Sequence, residues 1–275
     1  MKAENDSIRI FKVDCAAEQL ICIKFKISEN HPRFKVIING ESSDYYGSHK
    51  ANTIFKYMKT KAGLISKELN TLEDAEKFIN NEEHSIVGFF SSYETKLATE
   101  YKKQSETLSL RYRLAHTTNA DLINKYNFQD KIVIFQPPIL QNQIESPTHA
   151  FDISTEIPIS IRRYVDENFH GLVGHRTDEN LNEFKKPLVT VYYNIDFNQN
   201  YFETLYVRNR ILKVAKKLKD ELLDINFCIS NAKDFYFDIK RLDSSHQPYS
   251  MPRDTKFVGA RGVNDEVFKM EEEYT

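Results

Sequence analysis

Cysteine and glycine are scarce in this chain of 275 residues, at three and eight. So few glycines leave no Gly-rich phosphate loop, which removes the mononucleotide- and dinucleotide-binding classes. The three cysteines, Cys15, Cys22 and Cys228, include no pair at the two-residue spacing of a redox dithiol. Excess charge of one sign is missing too: 38 basic and 40 acidic residues leave a net charge of -2, with no push towards nucleic acid or an anionic membrane. No apolar run approaches the ~20 residues of a membrane span. The segment from Met1 to Ser7 is polar and charged, unlike a signal peptide, and the end from Met270 to Thr275 is not a KDEL-type retention signal.

What remains is ordinary for a folded chain: 40% hydrophobic and 28% charged residues, in a length that suits two or three domains. Cys15 and Cys22 have six residues between them, which suits a local disulfide better than a zinc site lacking further ligands. Cys228, in Ile225-Asn-Phe-Cys-Ile229, reads as a small buried core residue. The eight histidines are scattered without metal-ligand spacing, and His84 and His116 read as strand-end packing. No cofactor or metal is expected. Glu271 to Glu273 reads as a solvated charge run.

One pattern of elements recurs. The uninterrupted apolar run Ser85–Phe90 predicts a buried strand. Ser91 with Glu94 reads as a capping box opening a helix that carries Tyr93, Leu97, Tyr101 and Leu108 on one stripe. A strand over 110–116, a helix over 120–126, strands over 131–135 and 149–153, and a helix over 159–169 follow, in the order βαβαββα. The order restarts with a strand at 188–193 and a helix at 201–222 burying Val207, Ile211, Val214, Leu218 and Leu222. A strand over 223–230 and a hairpin over 256–259 and 266–270 come next, without a closing helix before residue 275. At the N-terminal end, strands at 8–13 and 34–38, a turn at Asn39-Gly40, a return at Tyr45-Tyr46 and a helix at 51–61 with Ile54, Tyr57 and Met58 inward read as the second half of the same unit. The fold class is α/β.

Lys12-Val-Asp-Cys15, Ser85-Ile-Val-Gly-Phe-Phe90, Tyr112-Arg-Leu-Ala-His-Thr117, Tyr206-Val-Arg-Asn-Arg210 and Val214-Ala-Lys-Lys217 resemble the protein disulfide isomerases, nearest to the glycoprotein-directed branch that works with calnexin and calreticulin. The resemblance implies tandem thioredoxin-like domains, one complete and two incomplete: 1–63 as the C-terminal half of a catalytic domain, 64–171 as a non-catalytic domain, and 172–275 as a second one lacking its last helix. It implies that the half-domain carrying the Cys-Gly-His-Cys motif is absent, that Cys15 and Cys22 form the structural disulfide of the first domain, and that Pro32 stands near the cis-proline facing the dithiol. It also implies the endoplasmic reticulum lumen and a role in protein folding.

A chain without the dithiol is expected to bind unfolded or glycoprotein clients rather than exchange their disulfides. The other reading is a fragment of a full-length thiol–disulfide oxidoreductase. The long helix is expected to present Arg208, Arg210, Lys213, Lys216, Lys217 and Lys219 outward, a basic face suited to an acidic partner. The resemblance matches Arg210 to a calnexin or calreticulin contact, whereas Gln143 and Phe202 stand where two basic contacts would be and weaken that partnership. Phe202, Tyr201 and Tyr206 favour apolar client segments instead.

Overall fold

The run Ser85–Phe89 is buried along its whole length, because it is the central strand of a sheet covered by helices on both faces. In the computed structural model, residues 9–27, 34–38, 41–45, 49–61, 65–109, 111–152, 160–178, 180–221, 224–242 and 256–270 are described. The chain divides into two compact units, Met1–Ile65 and Ser66–Thr275.

The first unit contains α1 (Gln19–Lys24), the antiparallel pair β1 (Lys35–Ile38) and β2 (Glu41–Asp44), and α2 (Ala51–Lys61). Cys22, Val36 and Tyr45 are buried, and the Tyr45 ring meets Tyr57 at 5.0 Å, edge to face. Ile54, Tyr57 and Met58 are half-buried, as the helical spacing predicts. The strand expected up to Val13 does not form between Arg9 and Val13, and Ile10 and Phe11 are exposed. A strand needs a neighbour to take its backbone groups, and among the described residues of this unit only β1 and β2 pair. Ile8, Pro32, Asn39-Gly40 and Tyr46 lie outside the described residues; a cis X-Pro bond is found at Lys186–Pro187.

The second unit repeats one topology. Its first sheet comprises β3 (Lys67–Glu68), α3 (Leu72–Ile79), β4 (Ser85–Phe89), α4 (Lys96–Leu108), β5 (Arg113–Thr117), α5 (Ala120–Tyr126), β6 (Lys131–Phe135), β7 (Thr148–Phe151) and α6 (Ile161–Asn168). Its second comprises β8 (Val173–Arg176), β9 (Leu188–Tyr193), α7 (Tyr201–Asp220), β10 (Asn226–Asn231), α8 (Tyr236–Leu242), β11 (Phe257–Arg261) and β12 (Val267–Lys269). Strand orders are β3-β5-β4-β6-β7 and β8-β10-β9-β11-β12. In both, the first three neighbours are parallel and the last two antiparallel.

Each repeat therefore opens one element earlier than the apolar pattern suggests. β3 is only two residues long and exposed, and β8 reads Val-Gly-His-Arg, so neither offers an apolar run. α3 is capped by Thr71, whose side chain accepts from the Asp74 amide. The Ser91/Glu94 box does not form. Ser91 is drawn across to Asp130, its amide and hydroxyl both donating at 2.9 Å, and Thr95 caps α4 by accepting from the Ala98 amide. Tyr93 consequently precedes the helix, while Leu97, Tyr101 and Leu108 are buried as expected.

The first sheet has a core on each face: one with α4 and α6, including Ile86, Tyr101, Ile134, Phe151 and Val165, and one with α3 and α5, including Val87, Phe89 and Leu122. The second sheet buries Val191, Val207, Ile211 and Ile229 under α7, and Tyr192, Phe235 and Ile239 under α8.

Candidate partner-binding surface

The cysteines are placed for structure. Cys15 and Cys22 are bonded to each other, with Cα atoms 5.7 Å apart, and Cys22 is a core residue of the first unit. Cys228 is fully buried on β10, with Thr190 Oγ1 3.2 Å from its sulfur. Burial pushes its thiol up to about 12, so it carries no thiolate at neutral pH. The connections from β4 to α4 and from β9 to α7, where a helix N-terminus could activate a thiol, read Phe90-Ser-Ser-Tyr-Glu-Thr95 and Asn194-Ile-Asp-Phe-Asn-Gln-Asn200, without cysteine. Among the described residues no group of three or more His, Cys, Asp or Glu could hold a metal ion, and no helix is long and apolar enough to cross a membrane.

α7 is the element on which the sequence-derived candidates converge. Its buried positions Val207, Arg208, Ile211 and Ala215 match Leu97, Ala98, Tyr101 and Ser105 of α4 at an offset of 110 residues. On that register α7 is longer at its start: Tyr201 and Phe202 occupy the place of Ser91 and Ser92, which are loop in the first repeat. The added turn carries the aromatic rings into water. Phe202 is 86% exposed and Tyr206 62%. Tyr201 packs edge-on against Phe202 at 5.6 Å, and the Arg210 guanidinium sits 5.9 Å from the centre of the Tyr206 ring. Arg210, Lys213, Lys216, Lys217 and Lys219 are exposed. Gln143 is exposed as well, in the loop between β6 and β7.

Arg208 is a correction to the expected basic face, because it points inward. Its side chain is 1% exposed. Nε and Nη2 donate to the Val173 carbonyl at 3.1 and 2.9 Å, Nη1 donates to the Leu140 carbonyl at 2.8 Å, and Nη2 meets Glu145 Oε1 at 3.1 Å. Glu145 also accepts from the Leu172 amide at 2.7 Å and from Asn142 Nδ2 at 3.1 Å. The guanidinium thus ties the second sheet to the β6–β7 loop and to the stretch joining the two repeats. Burial lowers its pKa from the ordinary value, and the charge and hydrogen bond of Glu145 oppose that. Arg208 is therefore unavailable to a partner at the surface. The physical reason is that the planar fork makes four hydrogen bonds to three acceptors at once, one more than the three donors of a lysine could make.

Val214, expected inward, is half-exposed and Leu218 only partly buried, while Leu222 lies outside the described residues. The 110-residue offset is the signal that could have found these placements, since it puts Arg208 on Ala98 and Val214 on the polar Gln104. Gly171, between the repeats, holds a positive φ of 63°, and a side chain there would meet Gln136 Nε2 at 2.7 Å and Glu145 Oε2 at 2.8 Å.

A second charged cluster lies under α8: Asp238 accepts from Arg176 at 3.2 Å, Arg261 at 2.8 Å and the Tyr192 hydroxyl at 3.3 Å. Near the joint, the His84 ring lies 4.9 Å from Phe169 with the two planes tilted by 40°, and His170 meets Glu183 at 3.0 Å. His116, expected at a strand end, lies within β5 and meets Ser66 Oγ at 2.9 Å through Nδ1.

Comparison with known proteins agrees with this architecture. A family model described as thioredoxin-like domain matches residues 90–249. The chain is 30% identical over 271 residues to protein disulfide-isomerase A3 of Gallus gallus, covering 98% of this chain and 53% of that protein. It is 30% identical over 252 residues to protein disulfide-isomerase A4 of Rattus norvegicus, covering 89% of this chain and 38% of that one. The chain thus spans about half the length, or less, of these curated relatives. Among solved structures, the bb fragment of ERp72 superposes with a TM-score of 0.65 at 29% identity, covering 77% of this chain and 91% of the fragment. The repeated strand order, the helices on both faces and these matches lead to one conclusion: the chain belongs to the family of thioredoxin-like domains.

Proposed function

We propose that this chain is the client- and partner-holding portion of a disulfide isomerase-type protein, acting in protein folding in the lumen of the endoplasmic reticulum. One observation carries the reading: the first turns of α7 expose Tyr201, Phe202 and Tyr206 beside Arg210, on a repeat whose single cysteine is sealed in the core. Exposed aromatic rings are costly to leave in water and are typical anchors for apolar segments. The adjacent cation allows a carboxylate or an aromatic ring of the bound segment to be held too. Unfolded or glycoprotein clients fit this surface better than an acidic lectin arm of the calnexin or calreticulin type. With Arg208 withdrawn into the joint and Gln143 and Phe202 uncharged, Arg210 is what remains of the contacts considered for that arm.

The test is fluorescence anisotropy of a labelled, unfolded apolar peptide titrated with the whole chain. Saturable binding weakened at least about tenfold (about 1.4 kcal/mol) by Phe202→Ser and Tyr206→Ser is expected. Binding that is absent, or indifferent to both substitutions, would overturn the reading. A second reading, part of a full-length thiol–disulfide oxidoreductase, is favoured by the coverage of only 53% of the Gallus gallus relative. Sequencing the complete transcript separates the two, because Cys-x-x-Cys segments on either side would make the whole protein an enzyme.

A further inference from the structure

Four of the eight histidines, His84, His149, His170 and His175, gather around the Arg208–Glu145 pair where the two repeats of the Ser66–Thr275 unit meet. Alternation along β4, β6 and β7 puts His84, Gln136 and His149 on the face of Ile86, Ile134 and Phe151, at one end of it. His84 and Gln136 are buried. His84 Nε2, His149 Nε2 and both side-chain amide atoms of Gln136 lie out of water without a hydrogen-bond partner.

The second repeat closes this end from the other side. Arg208 of α7 reaches the Leu140 carbonyl and Glu145, and Lys216 donates to the Ile144 carbonyl at 3.3 Å. Ile144 packs on the core of the second sheet, and His170 stacks on Phe184 at 4.2 Å. The contacts that hold the repeats together therefore run past the unpartnered rings.

We propose that this joint is a proton-operated latch: protonation of His84 and His149 frees the β6–β7 loop and the stretch 169–172 from α7, so that the two repeats come apart while each keeps its fold. The groups facing the two rings give a new charge no partner. His84 is faced by His170, Arg208 and His149, while its chain neighbour Glu83 acts on Arg113, and beyond Phe169 the Tyr112 hydroxyl donates to Asp166 at 2.9 Å. His149 is faced by Glu145 and by Lys219 of α7. Glu145 is already occupied by Arg208, Asn142 and the Leu172 amide. His175 faces Arg208 from within the second repeat. His170 differs, because Glu183 lies 3.0 Å from it and receives a proton's charge without strain. An imidazolium at His84 or His149 is thus a buried cation added to that of Arg208, and opening the joint hydrates it. Burial lowers the pKa of both rings, so protons are taken up as the joint opens. The latch is independent of the aromatic turn at Tyr201 and Phe202 and of client binding.

The experiment is hydrogen–deuterium exchange of the whole chain at pH 6.5 and 5.5, corrected for intrinsic rates, a range above ordinary carboxylate titration. Each ring that is neutral when latched and hydrated when open shifts the opening equilibrium by up to about tenfold per pH unit below about 6.5. Protection of peptides covering 140–147 and 169–174 is expected to fall at least about tenfold across this range, while β4 and β9 keep theirs. With His84→Gln and His149→Gln together, which cannot titrate, the joint should be equally protected at both pH values. Circular dichroism checks the folding of that variant; if it does not fold, the regional pattern in the native chain decides alone. Unchanged protection at the joint, an equal loss in β4 and β9, or a folded double variant that keeps the full pH effect overturns the proposal.

Discussion

Arg208 Nη2 on α7 lies 3.1 Å from Glu145 Oε1 in the β6–β7 loop, with the two side chains 1% and 3% exposed. Charges this far from water are tolerated only when their hydrogen bonds are filled, and here the guanidinium and the carboxylate each serve backbone partners as well. The pair joins the two repeats, alongside Ile144, which packs on the core of the second sheet and whose carbonyl accepts from Lys216 Nζ at 3.3 Å.

Removing one member is expected to cost much more than a surface ion pair would. Arg208→Met leaves Glu145 buried without its counter-charge and two carbonyls without donors, a loss of about 3–5 kcal/mol in urea unfolding. Glu145→Gln keeps an acceptor and should cost less, and the double variant should be clearly non-additive. A loss below about 1 kcal/mol for Arg208→Met would show that the joint is not a fastening between the repeats.

Cys228 is expected to be chemically silent in the folded chain. Its thiol is fully buried beside Thr190 and is pushed up to about 12. A thiol reagent at pH 8 should find no group in the native protein, and one per chain after unfolding without reductant. Modification at the native stage would mean that the second sheet opens around β10.

Stability should fall with acid in a window set by His84. Burial first, then the charges of His170, Arg208 and His149, pull its pKa down to about 3, from about 6.5 when unfolded. A depressed histidine favours the fold in its neutral form. Its contribution is complete above about pH 6.5 and drains as pH falls towards 3, by about 1.4 kcal/mol per pH unit. His175, lowered to about 4 by burial and by Arg208, acts in the same direction. Urea unfolding between pH 7 and 4.5 reads the slope. His84→Phe should flatten it by about one proton, and an unchanged slope would sink the assignment.

Much of the fold was legible because its signals are local. The helices 51–61 and 120–126 and the strands 131–135 and 188–193 have the observed limits, each bounded by polar or turn-forming residues. The short strands β3 and β8 were not legible, since two and four residues with little apolar character acquire their state from the neighbouring strand. The Ser91/Glu94 box failed for a related reason: a partner 39 residues away, Asp130, competes for the same serine. On α7, helical spacing identified Val207 and Ile211 as buried but could not tell that Arg208, next in line, also faces inward.

The sequence by itself determined the repeated thioredoxin-like pattern, the absence of a Cys-x-x-Cys pair and the aromatic start of the long helix, because periodicity and residue identity are properties of neighbours along the chain. Only the tertiary structure decided that Arg208 is a buried fastening and that Val214 faces out. Those placements depend on which acceptors and which apolar surfaces come within a few ångströms of each other. The acceptors for Arg208 lie 35 to 68 residues away, beyond the reach of any local pattern.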